Sequence, residues 1–337
     1  MKKKNVPQLI SLSVVVTLLI LGLASACMST AKKDTVNVSW DEGKTLGVTR
    51  LTNDSLPKNW VRVSPDGTKL LYTEASKTGN WQIVYLRDAN NPAKTPLVGE
   101  IAFSPSWYDD SNRFIYVSYE SGSGRLVRSS VSGGGKTYIS RSSIGQYGDD
   151  FPSIKNGIIV FTAYEGNRLA IVTVKENGTE TTFLGEGRSP SWSPKEDKIL
   201  FIRNESNPTS FGGDIFELDV KSGQFTQIYS DPKFLCYEPS YSPDGKRILF
   251  TKGTTVRTTG TQITKNFLGL ISKKRTISDE TIKRHIFIMN ADGTNVSPVS
   301  SGNATVISPS WGQNGEVYCL VSVGNGFEIY KMRIRGD

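Results

Sequence analysis

The chain has 337 residues, is 37% hydrophobic and carries a formal charge of +8. The 32 glycines and 15 prolines suit a folded chain with many short turns. Three of the positive charges lie at Lys2, Lys3 and Lys4, and the remaining basic excess is too mild to indicate nucleic-acid binding. Three cysteines do not make a disulfide framework, and a single histidine, His285, argues against a multi-histidine metal site. We therefore expect no cofactor and no metal.

The N-terminus has the order of an export signal. The basic segment is followed by an uncharged, mostly apolar stretch at residues 9–23, by the small residues 24–26 and then by Cys27. This order resembles a bacterial lipoprotein signal, although Leu23 stands four positions before the cysteine where the usual pattern has leucine three before. We predict a signal peptide at residues 1–26, lipidation of Cys27 and a tether at residues 27–45. The alternative is an uncleaved membrane anchor, since residues 5–31 could span a bilayer.

Either reading of the N-terminus exports the rest of the chain. The resemblance to lipoproteins implies a lipid anchor in the cell envelope, at the membrane surface. Because Met28, and not an aspartate, follows Cys27, we expect the outer membrane. Exposure to the periplasm or to the cell surface stays open.

The rest of the chain is a repeat. A proline, a small residue and an aromatic residue recur ahead of a turn and an apolar strand, as in Pro190-Ser191-Trp192 and Pro239-Ser240-Tyr241. The aromatic position of this phrase, or its equivalent, falls at residues 63, 107, 154, 192, 241 and 311. The first four intervals run from 38 to 49 residues and the last is 70, so only the last interval, in the fifth repeat, needs an insertion.

Each repeat reads as four short strands separated by turns, which predicts an all-β fold. Four-stranded sheets stacked radially bury both of their faces, which a single sheet cannot do. The sixth repeat lacks its fourth strand, and a spare strand at residues 46–52 precedes the first repeat. We therefore predict a six-bladed β-propeller at residues 46–337. We expect the spare strand to pair with residues 327–332 and to close the ring.

The repeat phrase resembles the TolB-type propeller repeat, also called the PD40 or WD40-like repeat. The resemblance is carried by residues 239–250 and 286–293 and extends over residues 46–337. It implies a β-propeller that makes protein contacts in the periplasm or at the cell surface. About 20 residues separate Cys27 from the first strand, so we expect a TolB-like propeller without the separate N-terminal domain of TolB.

Several motifs hint at chemistry, and a structural reading is favoured for each. Residues 132–137 lack the full phosphate-loop pattern and read as a hairpin turn. Asp66 and Asp244 sit in Pro-Asp-Gly turns, where they serve turn geometry more readily than a calcium ion. The acidic pairs at residues 109–110 and 149–150 are expected to be surface charge. Aromatic residues recur at one repeat position and are expected to pack between blades instead of binding carbohydrate: Trp107, Trp192, Tyr241 and Trp311.

No catalytic residue is predicted. The chain has no Gly-x-Ser-x-Gly elbow, and any serine triad would have to use His285. Whether Cys236 and Cys319 form a disulfide is left open.

Two insertions, at residues 204–213 and 253–284, are expected to form long loops on the same face of the propeller. The second joins basic charge to an apolar run, which suits contact with an acidic protein, a lipid headgroup or an anionic glycan. The candidate partner-binding residues are Phe267, Leu268, Leu270, Ile271, Lys273, Lys274 and Arg275. We predict a non-catalytic protein-interaction scaffold of the cell envelope. The alternative is a ligand-binding or carbohydrate-degrading propeller that uses the central channel.

Overall fold

A computed structural model describes residues 37–75, 81–88, 91–139, 149–165, 168–207, 210–265 and 271–336. The predicted signal peptide, Cys27 and the first part of the tether lie outside the described residues. The described chain folds into 26 strands and one short 3-10 helix, Gln313–Gly315. Within these residues, no helix has the length and apolar character needed to cross a membrane.

Five blades are built from consecutive strands. Two short strands, β1 (Val38–Trp40) and β2 (Thr45–Arg50), precede them. Blade one contains β3 (Lys58–Val63), β4 (Leu70–Ala75), β5 (Trp81–Asp88) and β6 (Asn91–Val98). Blade two contains β7 (Ala102–Trp107), β8 (Arg113–Ser118), β9 (Arg125–Ser130) and β10 (Thr137–Tyr138). Blade three contains β11 (Asp149–Lys155), β12 (Ile158–Glu165), β13 (Arg168–Lys175) and β14 (Thr182–Glu186). Blade four contains β15 (Arg188–Trp192), β16 (Lys198–Arg203), β17 (Asp214–Asp219) and β18 (Gln224–Tyr229). Blade five contains β19 (Cys236–Tyr241), β20 (Arg247–Lys265), β21 (Ile271–Asn290) and β22 (Ser297–Pro298).

A further four-stranded sheet, the composite sheet, combines the two ends of the described chain. Its remaining strands follow β23 (Ser300–Gly302) and are β24 (Val306–Trp311), β25 (Glu316–Val323) and β26 (Gly326–Ile334). The strand order is β2-β26-β25-β24, so the N-terminal strand takes the outermost position. Strands β1 and β23, which immediately precede β2 and β24 in the chain, pair with each other in a separate two-stranded sheet. The structure therefore confirms an all-β propeller with four-stranded blades.

The N-terminal strand pairs where the sequence placed it. The register joins Thr45 to Ile334 and Arg50 to Tyr330 in antiparallel order. The fully buried carboxylate of Glu328 strengthens this junction, because it accepts hydrogen bonds from the Thr52 hydroxyl and the Ser55 amide. Arg50 also lies 3.2 Å from Glu328. A buried carboxylate on β26 thus holds the segment that follows β2.

The core lies between neighbouring blades, and the recurring aromatic residues belong to it. Trp107 packs with residues of blades one and two, and Tyr241 with residues of blades four and five. Trp192 and Trp311 are half-buried and pack in the same way at their own blade interfaces. The expectation that these side chains serve blade packing is confirmed. Cys236 and Cys319 are both buried and free, so they do not form a disulfide.

The insertion in blade five is not a loop, which corrects the expectation for residues 253–284. Strands β20 and β21 continue through it as one hairpin, with paired residues from Gly253–Arg284 to Lys265–Ile271. The physical reason is local, since residues 254–264 are rich in threonine and include Val256 and Ile263. Such β-branched residues favour strands. We call residues 253–265 and 271–284 the blade-five hairpin. The shorter insertion in blade four is a loop between β16 and β17, as expected.

Candidate binding site in the central channel

The innermost strand of every blade, and of the composite sheet, contains the same backbone irregularity. A register shift interrupts the pairing of each of these six strands with its neighbour. At each shift a non-glycine residue has a positive φ of 49° to 53°: Trp60, Ser104, Phe151, Ser189, Glu238 and Ser308. Positive φ is strained for such residues, and strain of this kind often marks functional sites. The inner strands therefore present a ring of β-bulges.

The recurring Pro-Ser pair follows directly from this bulge. A proline comes after the bulge residue in five of the six strands, where its missing N–H costs no ladder hydrogen bond. In two of the strands the following serine ties its strand to the next one around the ring. The Ser153 hydroxyl accepts the Trp192 amide at 3.2 Å, and the Ser310 hydroxyl accepts the Val63 amide at 3.2 Å. Most of the repeat phrase is thus structural.

The bulge ring surrounds a cavity of about 210 Å³. Its wall consists mainly of the Pro-Ser segments of the inner strands, with aromatic surface from Phe151, Tyr241 and Trp311. Two charged side chains also line it, Arg62 and Glu238. The central channel therefore has room for a small molecule, and the charge of its wall is concentrated at two points.

Both charged residues occupy positions at which the repeat most often has serine. Arg62 takes the position that Ser106, Ser153 and the equivalent serines occupy in the other inner strands. Glu238 takes a bulge position that is serine in three of the other strands. Neither residue was among the candidate binding residues predicted from the sequence. The signal was available, because the first repeat lacks the Pro-Ser pair and this gap is where Arg62 lies.

Ser308 fixes the two charges beside each other. Its amide donates to Glu238 Oε2 at 2.9 Å, and its hydroxyl accepts from Arg62 Nη1 at 3.0 Å. Arg62 Nη1 also donates to the carbonyl of Val61 at 2.8 Å. Burial lowers the pKa of Arg62, and the Glu238 charge acts in the opposite direction. A cation and an anion thus meet at one side of the cavity, held by a common residue.

A second charged pair lies behind Phe151. Arg188 is 2% exposed, with its guanidinium 3.9 Å from the Phe211 ring centre and 5.1 Å from that of Phe151. Asp150 accepts a hydrogen bond from Ser104 Oγ at 2.6 Å, and burial raises the pKa of its carboxyl. The expectation that Asp150 is surface charge is therefore wrong. The side chain turns inward because Ser104, from blade two, supplies a partner.

The other motifs of the sequence lie away from the channel cavity. His285 is 2% exposed on β21 and does not line the cavity, so a triad through it is not part of this site. Asp110 is exposed and binds Arg113 within its own turn. Asp66 accepts hydrogen bonds from Ser64 and Thr68, and Asp244 from Ser242 and Lys246. Both aspartates therefore organise turns. Residues 132–137 connect β9 to β10, as a hairpin connection should.

The candidate partner-binding residues fall on the blade-five hairpin. Ile271, Lys273, Lys274 and Arg275 lie in β21, whereas Phe267, Leu268 and Leu270 lie outside the described residues. In the described part of the chain, no group of three or more His, Cys, Asp or Glu residues is arranged to hold a metal ion.

The radial sheets and the central channel define a β-propeller. Its fold is similar to that of a putative TolB from Agrobacterium tumefaciens, with a TM-score of 0.57 and 15% identity over 87% of this chain and 99% of that one. An oligogalacturonate lyase from Vibrio parahaemolyticus gives a TM-score of 0.55 and 13% identity, covering 90% and 98%. A gluconolactonase from Xanthomonas campestris gives 0.57 and 11%, covering 90% and 96%. No family model and no curated protein matches the sequence. At these identities the likeness concerns the fold, and one fold hosts many functions.

Proposed function

We propose that the protein is a non-catalytic interaction protein of the bacterial cell envelope, anchored by a lipid at Cys27 in the outer membrane. The blade-five hairpin carries its contact with a partner. The single observation behind this proposal is that β20 and β21 continue as a paired ribbon well beyond the residues that pack in the blade. The other blades join their second and third strands through far shorter connections.

The hairpin has features of a contact surface. Ile282 is 69% exposed at its base, opposite the exposed Thr255. At the start of the hairpin the Gly253 amide donates to the Leu235 carbonyl at 3.2 Å. Beyond it, the hairpin segments pair only with each other among the described strands, so no described strand covers their outer edges. An open edge can accept a strand from another chain, and nearby basic charge attracts acidic partners. The partner that suits this surface is an acidic envelope protein.

We also propose that the composite sheet acts as the sixth blade. Its inner strand, β24, contacts the inner strands of blade five and blade one. This arrangement supports a ring of six that is closed by β2. A ring closed by β2 would hold the blade-five hairpin and the lining of the channel in fixed positions.

Two variants test the partner contact. In the first, residues 253–284 are replaced by Asn-Gly, which suits a two-residue turn between the paired residues Lys252 and His285. In the second, Lys273, Lys274 and Arg275 become serine. Both should keep the melting temperature of the wild type, because the changes lie beyond the part of β20 and β21 that packs in blade five. Both should lose envelope partners in affinity capture, with the charge variant affected most at low salt.

A matched control replaces exposed basic residues of another blade, Lys195 and Lys221, with serine. This variant should capture the same partners as the wild type. Unchanged capture by the hairpin-deleted protein would contradict the proposed contact.

A further inference from the structure

The channel holds hydrogen-bonding capacity that the described protein does not use. Arg62 carries five N–H donors, and only those on Nη1 have partners among the described residues. Glu238 uses Oε2 for the Ser308 amide, and no described residue donates to its Oε1. Both side chains line the cavity. A fixed cation with unused donors and a fixed anion with an unused acceptor therefore face the same small cavity.

The two charges do not neutralise each other by a direct ion pair. Ser308 stands between them and binds one through its hydroxyl and the other through its amide. This separation keeps a positive and a negative group side by side. Since both are anchored on the bulge ring, little conformational entropy is lost when a ligand binds them.

This arrangement selects ligands by charge. A simple carboxylate is attracted to Arg62 and repelled by Glu238, whereas a simple amine experiences the reverse. A small molecule with both groups satisfies both residues, because its carboxylate can take the planar donors of the guanidinium and its ammonium can donate to the carboxylate. The pair thus favours the doubly charged ligand and disfavours each singly charged analogue.

The size and lining of the cavity set a further limit. At roughly 30 Å³ per water molecule, 210 Å³ corresponds to about seven waters, on the order of one amino acid. Near Glu238 the wall also has proline and aromatic surface, including Tyr241 and Trp311, between the serines of the inner strands. This surface suits an apolar side chain.

We infer that the central channel binds a small zwitterion of the free amino acid class, with its carboxylate on Arg62 and its ammonium on Glu238. The inference is independent of the blade-five hairpin, because none of its residues lines the cavity. A ligand could bind the channel while the partner contact fails, and the reverse also holds.

Calorimetric titration of the full-length protein in detergent with the twenty common L-amino acids tests this inference. At least one should bind with a Kd below about 1 mM. Its N-acetyl derivative lacks the ammonium and its carboxamide lacks the carboxylate, so each should bind at least about tenfold more weakly, a difference of about 1.4 kcal/mol. The absence of binding by every amino acid, or equal binding of the N-acetyl form, would overturn the assignment.

Variants assign each end of the ligand to its residue. Arg62→Gln should weaken the amino acid at least about tenfold and remove the preference over its carboxamide. Glu238→Gln should remove the preference over the N-acetyl form, since the repulsion of a lone carboxylate is gone. Lys221→Gln, an exposed change on blade four, should alter neither. Should Arg62→Gln unfold the chain, Arg62→Lys keeps the charge and should retain the preference over the carboxamide. Loss of that preference in a folded Arg62→Lys protein would contradict the role of the Arg62 charge.

Discussion

Single residues determine the chemistry of the channel, since the inner strands repeat the same backbone pattern from blade to blade. The inner strands share one bulge and one Pro-Ser pair, which explains most of the recurring phrase. Arg62 and Glu238 depart from that pattern and face the cavity. In a repeat fold, the positions that differ from the repeat are therefore the ones to examine for ligand binding.

A lipid on Cys27 is the residue-level basis of the proposed location. Cys27→Ser should abolish labelling by a fatty-acid analogue and release the protein from membranes, because a serine cannot form the thioether of the lipid anchor. Growth with the labelled analogue, followed by membrane fractionation, measures both effects. A matched control is Cys236→Ser, which should keep full labelling because that cysteine is buried in the fold. Equal labelling of the Cys27 variant would contradict the anchor.

His285 should make the stability of the fold sensitive to mild acid. Burial lowers the pKa of this imidazole, so the folded state binds its proton less readily than the unfolded state does. Its contribution to stability is therefore present above the unfolded pKa of about 6.5 and is lost as the pH falls below it. The melting temperature of the wild type should fall more between pH 7.5 and pH 5.5 than that of His285→Gln. Parallel decreases in the two proteins would contradict this role.

At the level of elements, most blade strands could be predicted from the sequence. The strands of the blade-five hairpin and the inward position of Asp150 could not. Alternating apolar and aromatic segments indicated the blade strands, and the orphan strand near residue 46 matched the gap at the C-terminus. The sequence predicts a loop where the blade-five hairpin lies, because its threonine-rich segment shows no hydrophobic periodicity. The burial of Asp150 depends on Ser104 in another blade, which no local pattern reveals.

The junction between β2 and β26 should depend on Glu328. Glu328→Ala removes the acceptor that serves Thr52, Ser55 and Arg50, and it leaves those groups without their buried partner. Hydrogen bonds to a charged group contribute about 1.5–3 kcal/mol, and the exposed Arg50 and Ser55 can turn to water when the carboxylate is removed. Denaturant unfolding should show a loss of this size, and Glu42→Ala, at an exposed position on the same segment, should show little change. A Glu328→Ala protein as stable as the wild type would refute the role of this carboxylate.

At the scale of the whole molecule, the composite sheet joins strands from both ends of the described chain. Its outer strand comes from the beginning of the described chain and its inner strands from the end. The ring closure that we propose would leave only short exposed edges around the blades. The blade-five hairpin is the exception, because its strands extend past the blade. That contrast between protected blades and an open hairpin is why we assign partner binding to the hairpin.

Photo-crosslinking in living cells tests this central claim most directly. A photoreactive residue is placed at Ile282 or Thr255 on the hairpin, and at Phe183 on the outer strand of blade three as a control of similar exposure. We predict a discrete crosslinked product from both hairpin positions and none from Phe183, with the product lost when Lys273, Lys274 and Arg275 become serine. A product that forms from Phe183 and from neither hairpin position would contradict the claim and place the contact on another part of the propeller.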